Sequence, residues 1–311
     1  ATDSSYTPTD VDARRSLRVV VNYLDVNGNA EQVISDPTSI TGDLVIGTAD
    51  ANVLRGGPGN DLLQGFGGED SLFGNEGDDT LEGGDGNDTL RGLEGRDIMI
   101  GGAGNDRYFV DSGLDIITEI VGGGADTVFT NTSYVLAAGV EVETLRIRPP
   151  AGTVDIDLTG NELANRLIGN NGVNVIDGGD GDDDISGLGG FDILSGGVGD
   201  DYLKGNSDDD VLNGGTGNDL LNGGGGVNGG DDTFVFSLNF GNDRISGFDS
   251  NAADGQDLID LVELGITAAN FDTEVAITGV GNQTFIQIGS NSIQLINVNV
   301  GSIDQTDFLF G

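Results

Sequence analysis

From Gly47 the chain repeats every nine residues for seven units without a slip: GTADANVLR, GGPGNDLLQ, GFGGEDSLF, GNEGDDTLE, GGDGNDTLR, GLEGRDIMI and GGAGNDRYF, ending at Phe109. From Gly160 it repeats again through GNELANRLI, GNNGVNVID, GGDGDDDIS, GLGGFDILS, GGVGDDYLK, GNSDDDVLN and GGTGNDLLN, ending at Asn222. Gly223 to Gly226 break the register, and a last unit, VNGGDDTFV, closes at Val235. A short period held this strictly means that near-identical units stack, each burying the face of its neighbour. A flexible acidic linker has no reason to keep apolar residues nine apart.

Each position in the unit has a physical job. Position 1 is Gly in all fourteen in-register units and position 4 is Gly in eleven of them. Both are read as backbone with positive φ, which a tight turn aiming several carbonyls at one point requires. Position 8 is always apolar, from Leu54 and Leu63 to Leu212 and Leu221. One inward residue per short strand is the least core a stacked coil can have. Position 6 is always Asp or Asn: Asn52, Asp61, Asp70, Asp79, Asp88, Asp97 and Asp106, then Asn165, Asn174, Asp183, Asp192, Asp201, Asp210 and Asp219. Asp232 holds that place in the last unit. Hard cations of the Ca²⁺ type take six to eight such oxygens, from carboxylates and backbone carbonyls.

Composition agrees. The 311 residues carry 53 acidic and 12 basic side chains, a formal charge of −41, and 56 glycines. Asp outnumbers Glu by 42 to 11, which suits turns and metal sites more than mere solvation. With no Cys and no His, thiolate metal sites, disulfides and histidine general bases are excluded. The charge repels nucleic acid and anionic membrane. No apolar run approaches the length of a membrane helix, and residues 1–15 lack the apolar core of a signal peptide. With so many carboxylates some pair always fits glycosidase geometry, so acid pairs argue for no catalysis in this chain.

The nonapeptide resembles the RTX (repeat-in-toxin) calcium-binding β-roll. The resemblance implies an all-β fold, a right-handed parallel β-roll in two blocks. Two nonapeptides make one coil, three-residue strands face each other across a core of position 8 side chains, and Ca²⁺ sits between successive turns on each edge. The strongest expected ligands are Asp61, Asp88, Asp106, Asp183, Asp201 and Asp219, whose turns keep Gly at positions 2 and 4. Gly56 and Gly59, Gly83 and Gly86, Gly101 and Gly104, Gly178 and Gly181, Gly196 and Gly199, and Gly214 and Gly217 are the matching position 1 and 4 glycines. Asp70, Asp79, Asp97, Asp192, Asp210 and Asp232 follow. Asn52, Asn165 and Asn174 open their blocks uncharged and are weaker. Asp50, Leu163 and Asp208 replace Gly at position 4 and put their turns in doubt. Same-edge stacking gives roughly ten ions, enough to offset about half the charge, as in a fold conditional on metal.

Outside the repeats, residues 1–43 read as strand, turn, strand and resemble the end of an Ig-like or cadherin-like sandwich. That implies a piece of a longer protein. Residues 44–109 form block 1 and residues 160–235 block 2. Residues 110–159 read as β-rich spacer continuing the solenoid with longer coils, where Asp111, Asp115 and Asp126 could add ligands. Residues 236–311 read as a β cap. A short helical turn is expected within Val262 to Phe271, and a hairpin about Gly289-Ser290-Asn291. The ending Asp307-Phe308-Leu309-Phe310 is similar to the uncleaved C-terminal signals of type I secretion. The expected function is therefore a Ca²⁺-dependent folding module of a secreted bacterial protein, partnered by the type I machinery, without nucleic acid or membrane insertion. The alternatives are an adhesin or the tail of a secreted enzyme. Position 9 reads Arg, Gln, Phe, Glu, Arg, Ile, Phe in block 1. That shows no ladder of one residue type and weakens the adhesin reading.

Overall fold

The computed structural model describes residues 20–24, 30–34, 42–225, 229–251 and 255–311. The chain divides into two compact units, residues 1–124 and 125–311. Among the described residues no helix is long and apolar enough to cross a membrane.

In the first unit, strands alternate between two parallel sheets. One contains Leu44–Ile46, Leu62–Gly67, Thr80–Asp85, Ile98–Ala103 and Ile116–Thr118. The other contains Val53–Arg55, Ser71–Glu76, Thr89–Glu94 and Arg107–Val110. Leu63 lies beside Leu81 and Leu72 beside Leu90, so one coil is two nonapeptides. The strands outrun the expected three residues. Pairing continues through Phe66↔Gly84 and Gly67↔Asp85, so the first half of each turn also joins the sheet. The hairpin strands of the N-terminal segment, Val20–Leu24 and Ala30–Ile34, pair antiparallel with Val20 opposite Ile34. Almost all the rest of the expected sandwich end lies outside the described residues.

The second unit repeats the plan. Its interior coils pair Ile185 with Leu203 and Leu194 with Leu212. Ahead of them the spacing is irregular. Thr127 pairs with Thr144, Thr144 with Arg166 and Tyr134 with Leu158, steps of 17, 22 and 24 residues. Loops of different length are thus accommodated between strands that keep the parallel stack.

The core is a file of position 8 side chains. Leu63, Leu72, Leu81, Leu90, Met99 and Tyr108 in the first unit are fully buried, as are Leu167 through Leu221 in the second. Burying one such side chain contributes about 2 kcal/mol. Ordering nine residues of glycine-rich backbone costs more than that, so the turns must supply further stabilisation.

The C-terminal end closes the second unit. Asn291–Ile296 pairs parallel with Asn242–Ser246 and then antiparallel with Gln283–Ile288, the expected hairpin. A 3₁₀ turn at Val262–Leu264 and a short helix at Phe271–Glu274 occupy the expected helical stretch. Phe271 packs on Phe308 and Phe310, with ring centroids 4.8 and 5.2 Å away. Phe308 adds to the sheet beside Ile259. The four C-terminal residues read as an export signal are therefore also built into the cap.

Candidate metal centres

The turns bring the position 6 residues into vertical files, one per edge. In each file the backbone N–H of one residue donates to Oδ1 of the carboxylate one coil further on. The first unit runs Asp43 to Asp61, Asp61 to Asp79 (2.7 Å), Asp79 to Asp97 (2.9 Å) and Asp97 to Asp115 (3.1 Å). Its other edge runs Asn52, Asp70, Asp88, Asp106. In the second unit the files are Asn165, Asp183, Asp201, Asp219, Asp243 and Asn174, Asp192, Asp210, Asp232, Asp257. From Asp61 onward the carboxylates are buried, 0–5% exposed, whereas Asp43 at the head of its file is exposed.

The second oxygen is the informative one. Oδ2 of Asp70, Asp79, Asp88, Asp97, Asp183, Asp192, Asp201, Asp210 and Asp219 is buried and accepts no hydrogen bond. A buried carboxylate oxygen without a donor is costly. Those of Asp70, Asp79, Asp88, Asp183, Asp201 and Asp210 share one point with a glycine carbonyl oxygen of the next coil. A methyl group on Gly65 would collide with Asp70 Oδ2 and come within 2.5 Å of the Gly83 carbonyl oxygen. The same holds at Gly196, facing Asp201 Oδ2 and the Gly214 carbonyl 2.5 Å away, and at Gly205, facing Asp210 Oδ2 and the Gly223 carbonyl at 2.6 Å. Two oxygens face one point with no hydrogen between them. That donor set fits a hard cation or, failing one, a proton on the carboxylate.

This corrects the role of the position 1 glycines. Gly56, Gly83, Gly101, Gly178, Gly196 and Gly214 are absent from the positive-φ set. They are Gly because a Cβ would strike the carboxylate of their own turn. The left-handed residues are at positions 2 and 4. Position 4 supplies Gly59, Gly86, Gly104, Gly181, Gly199 and Gly217, for example Gly86 at φ 129°. Position 2 does not require Gly: Asn75, Leu93 and Leu188 take φ of 87°, 73° and 86°. Gly at position 2 therefore does not sort strong turns from weak ones. Asp79, Asp97 and Asp192 have the same bonds and the same bare oxygen as Asp88 and Asp201. Even Asp208, in place of a position 4 Gly, is left-handed at φ 72°.

Asp61 differs slightly, since its Oδ2 accepts the Gly57 N–H at 2.6 Å. The asparagines differ more. Asn174 Oδ1 accepts the Asn170 N–H at 2.9 Å, while its Nδ2 donates to the Ile156 carbonyl at 2.7 Å. Asn165 likewise accepts from Asn161 and donates to Val142, both at 2.9 Å. Asn52 accepts from Thr48 N–H within its own turn.

Two residues the repeat reading did not include among the ligands extend the files. Asp243 and Asp257 continue the ladder 24 and 25 residues beyond Asp219 and Asp232. The signal was there in Gly241-Asn242-Asp243 and Gly255-Gln256-Asp257, the position 4 to 6 tripeptide detached from any nine-residue period.

Burial sets the proton affinity. Desolvation, with neighbouring carboxylates adding to it and one backbone N–H opposing it, pushes Asp192 and Asp201 up to about 7 and Asp210 and Asp243 up to about 8. Without a cation these sites hold protons near neutrality.

The RTX calcium-binding nonapeptide repeat matches four segments, residues 46–81, 82–117, 159–194 and 195–234. The chain is an RTX-repeat protein. The four copies make this RTX protein a calcium-binding module. Comparison with curated protein sequences finds no match. Among solved structures, the RTX chain is similar to the extracellular lipase LipA from Serratia marcescens, at 21% identity and a TM-score of 0.34 over 93% of this chain. It spans 42% of the lipase's length. It is also similar to the AlgE6R2 subunit of the Azotobacter vinelandii mannuronan C5-epimerase, at 23% identity and a TM-score of 0.30, over 51% of this chain and 93% of that one.

Proposed function

We propose that this RTX chain is a folding switch for a larger exported bacterial protein, read out by Ca²⁺. The observation that carries the reading is the set of nine buried, donorless carboxylate oxygens, six of them set against a glycine carbonyl. The Asp files of both units would hold the ions, with the position 1 carbonyls completing the coordination. About ten sites follow from same-edge stacking, and the longer files ending at Asp115, Asp243 and Asp257 extend the candidate set. Bound Ca²⁺ supplies charge compensation and nothing reactive.

Where free Ca²⁺ is far below the 10⁻⁴–10⁻³ M affinities of extracellular modules, like charges at about 4 Å repel by about 1 kcal/mol per pair even in water. The chain then stays unfolded and can thread a type I exporter. Outside the cell, at ten times a site's dissociation constant, each site contributes about 1.4 kcal/mol. Ten independent sites would contribute about 14 kcal/mol, the stability of a whole domain. The segment Asp307-Phe308-Leu309-Phe310 serves first as export signal and afterwards as part of the cap.

Small-angle scattering tests the switch. In chelator the radius of gyration is expected near the unfolded value of about 60 Å for a chain of this length. Millimolar Ca²⁺ should contract it severalfold, and Mg²⁺ should not. A chain equally compact in chelator contradicts the proposal.

A further inference from the structure

The 18-residue coil sorts position 9 into two files that the nine-residue reading mixes. On one sheet of the first unit the file is Arg55, Phe73, Arg91, Phe109, in register from strand to strand. On the other it is Gln64, Glu82, Ile100. The apparent lack of a ladder came from reading both faces as one.

The Arg/Phe file is held tightly. The Arg55 guanidinium lies 4.1 Å from the Phe73 ring centroid, and Arg91 sits between Phe73 at 5.7 Å and Phe109 at 3.8 Å. Such stacking fixes a guanidinium; Arg55 is exposed, while Arg91 is half-buried with its Nε shielded and unpartnered, so its terminal nitrogens are the donors left to a ligand. Arg107 is exposed on the same face. The outward residues at positions 7 and 9 of these four strands, from Val53 to Phe109, include no acid, and the exposed Glu76 and Glu94 stand further along, where two of the strands run on into their turns. The chain carries 53 carboxylates. Yet among the described residues the ion pairs are Arg166–Asp184 and Lys204–Asp184, and neither involves Arg55, Arg91 or Arg107. In so acidic a protein, preorganised arginines left without a carboxylate imply that the carboxylate comes from outside.

We propose that this sheet face binds a linear acidic polysaccharide carrying one carboxylate per disaccharide. Arg55 and Arg91 are two strands apart, about 9.6 Å, a spacing of the order of a disaccharide repeat. Each fork accepts one carboxylate in bidentate fashion. The acidic turns along both edges of the face disfavour the alternatives. A duplex nucleic acid carries a charge about every 1.7 Å of its axis and would meet those turns, as would a flat anionic bilayer.

The test uses the whole Ca²⁺-loaded chain and a labelled hyaluronan octasaccharide, followed by fluorescence anisotropy at low salt. Hyaluronan has the stated charge spacing. Binding is expected for the native chain, to weaken at least about tenfold in R55Q/R91Q, and to be unchanged in E82Q on the opposite sheet. If R55Q/R91Q loses its β circular dichroism, R55K/R91K keeps the charge without the fork and should also bind several-fold more weakly. Four results overturn the proposal: no binding by the native chain, equal binding by the arginine variants, binding that rises with free Ca²⁺ and survives R55Q/R91Q, or tighter binding of a DNA oligonucleotide or of phosphatidylserine vesicles.

Discussion

The interior turns and the opening turns of the second unit differ in backbone and in side chain: positions 2 and 4 are left-handed from Gly179 and Gly181 onward but not at Asn161, Leu163, Asn170 or Gly172, and position 6 changes from Asn to Asp. In an interior turn the position 6 carboxylate accepts one N–H and leaves its other oxygen bare against a carbonyl, as at Asp183 and Asp201. In the opening turns the amide oxygen of Asn165 and Asn174 stands in the place of that bare oxygen and accepts an N–H of its own turn, while the amide nitrogen donates to a carbonyl of the preceding coil. The amide closes the turn with its own hydrogens. The carboxylate needs a cation or a proton to do the same. On the proposed function, metal dependence would sit in the interior of the files, since the amides of Asn165 and Asn174 have hydrogen-bond partners for both their oxygen and their nitrogen.

The largest effect that should break this comparison is steric. Gly196→Ala places a methyl group against Asp201 Oδ2 and the Gly214 carbonyl. It should destabilise the Ca²⁺-bound fold by about 3 kcal/mol or more, the upper range for overpacking, and raise the Ca²⁺ midpoint. Thermal unfolding at saturating Ca²⁺ measures the first effect and a Ca²⁺ titration the second. Gly225→Ala, where a methyl group would meet nothing within 4 Å, should do neither.

A smaller, more selective effect separates the two kinds of turn. Asp201→Ala should remove a metal site, lowering the calorimetric ion count by about one and raising the folding midpoint. Asn174→Ala should cost about 1–3 kcal/mol, the range for stranding buried hydrogen-bonding groups, without changing the ion count. Asn174→Asp should place a carboxylate oxygen against the Ile156 carbonyl and make that turn calcium-dependent too. If Asn174→Ala lowers the ion count, the opening turn is itself a metal site and the comparison fails.

The smallest effect is that of pH. Burial raises the folded-state affinity of Asp192, Asp201 and Asp210 for protons above the ordinary value of 3.8, to about 7, 7 and 8. Their contribution to a metal-free fold is fully present below 3.8 and is lost as pH rises through about 7 to 8. In chelator, β content should therefore be higher at pH 5 than at pH 8. In saturating Ca²⁺ the trend should reverse, because ion binding needs the deprotonated carboxylate. Circular dichroism at the two pH values checks both arms.

Much of this was legible because a period makes each residue's role repeat. Position 8 as core followed from spacing alone, and the RTX resemblance singled out position 6 as the expected ligand, which the structure places in buried files. What was not legible lies where distance along the chain and distance in space part company. The reason position 1 is Gly is a contact with the carboxylate five residues on, invisible without the turn in three dimensions. The Arg55–Phe109 file needs the 18-residue coil to separate it from the face behind. Asp243 and Asp257 carry the right tripeptide at steps of 24 and 25 residues, so a search at nine passes over them. The strands between 125 and 159 keep the stack with steps of 17 to 24 residues, and only their hydrophobic alternation marks them.

The central claim is that the deprotonated Asp files cannot close without a cation. Far-UV circular dichroism during a Ca²⁺ titration, from chelator to about 10 mM with Mg²⁺ as control, tests it most directly. The account predicts a cooperative coil-to-β transition with Ca²⁺ alone, its midpoint near millimolar. A full β spectrum in chelator at neutral pH, unchanged as Ca²⁺ is added, would contradict it.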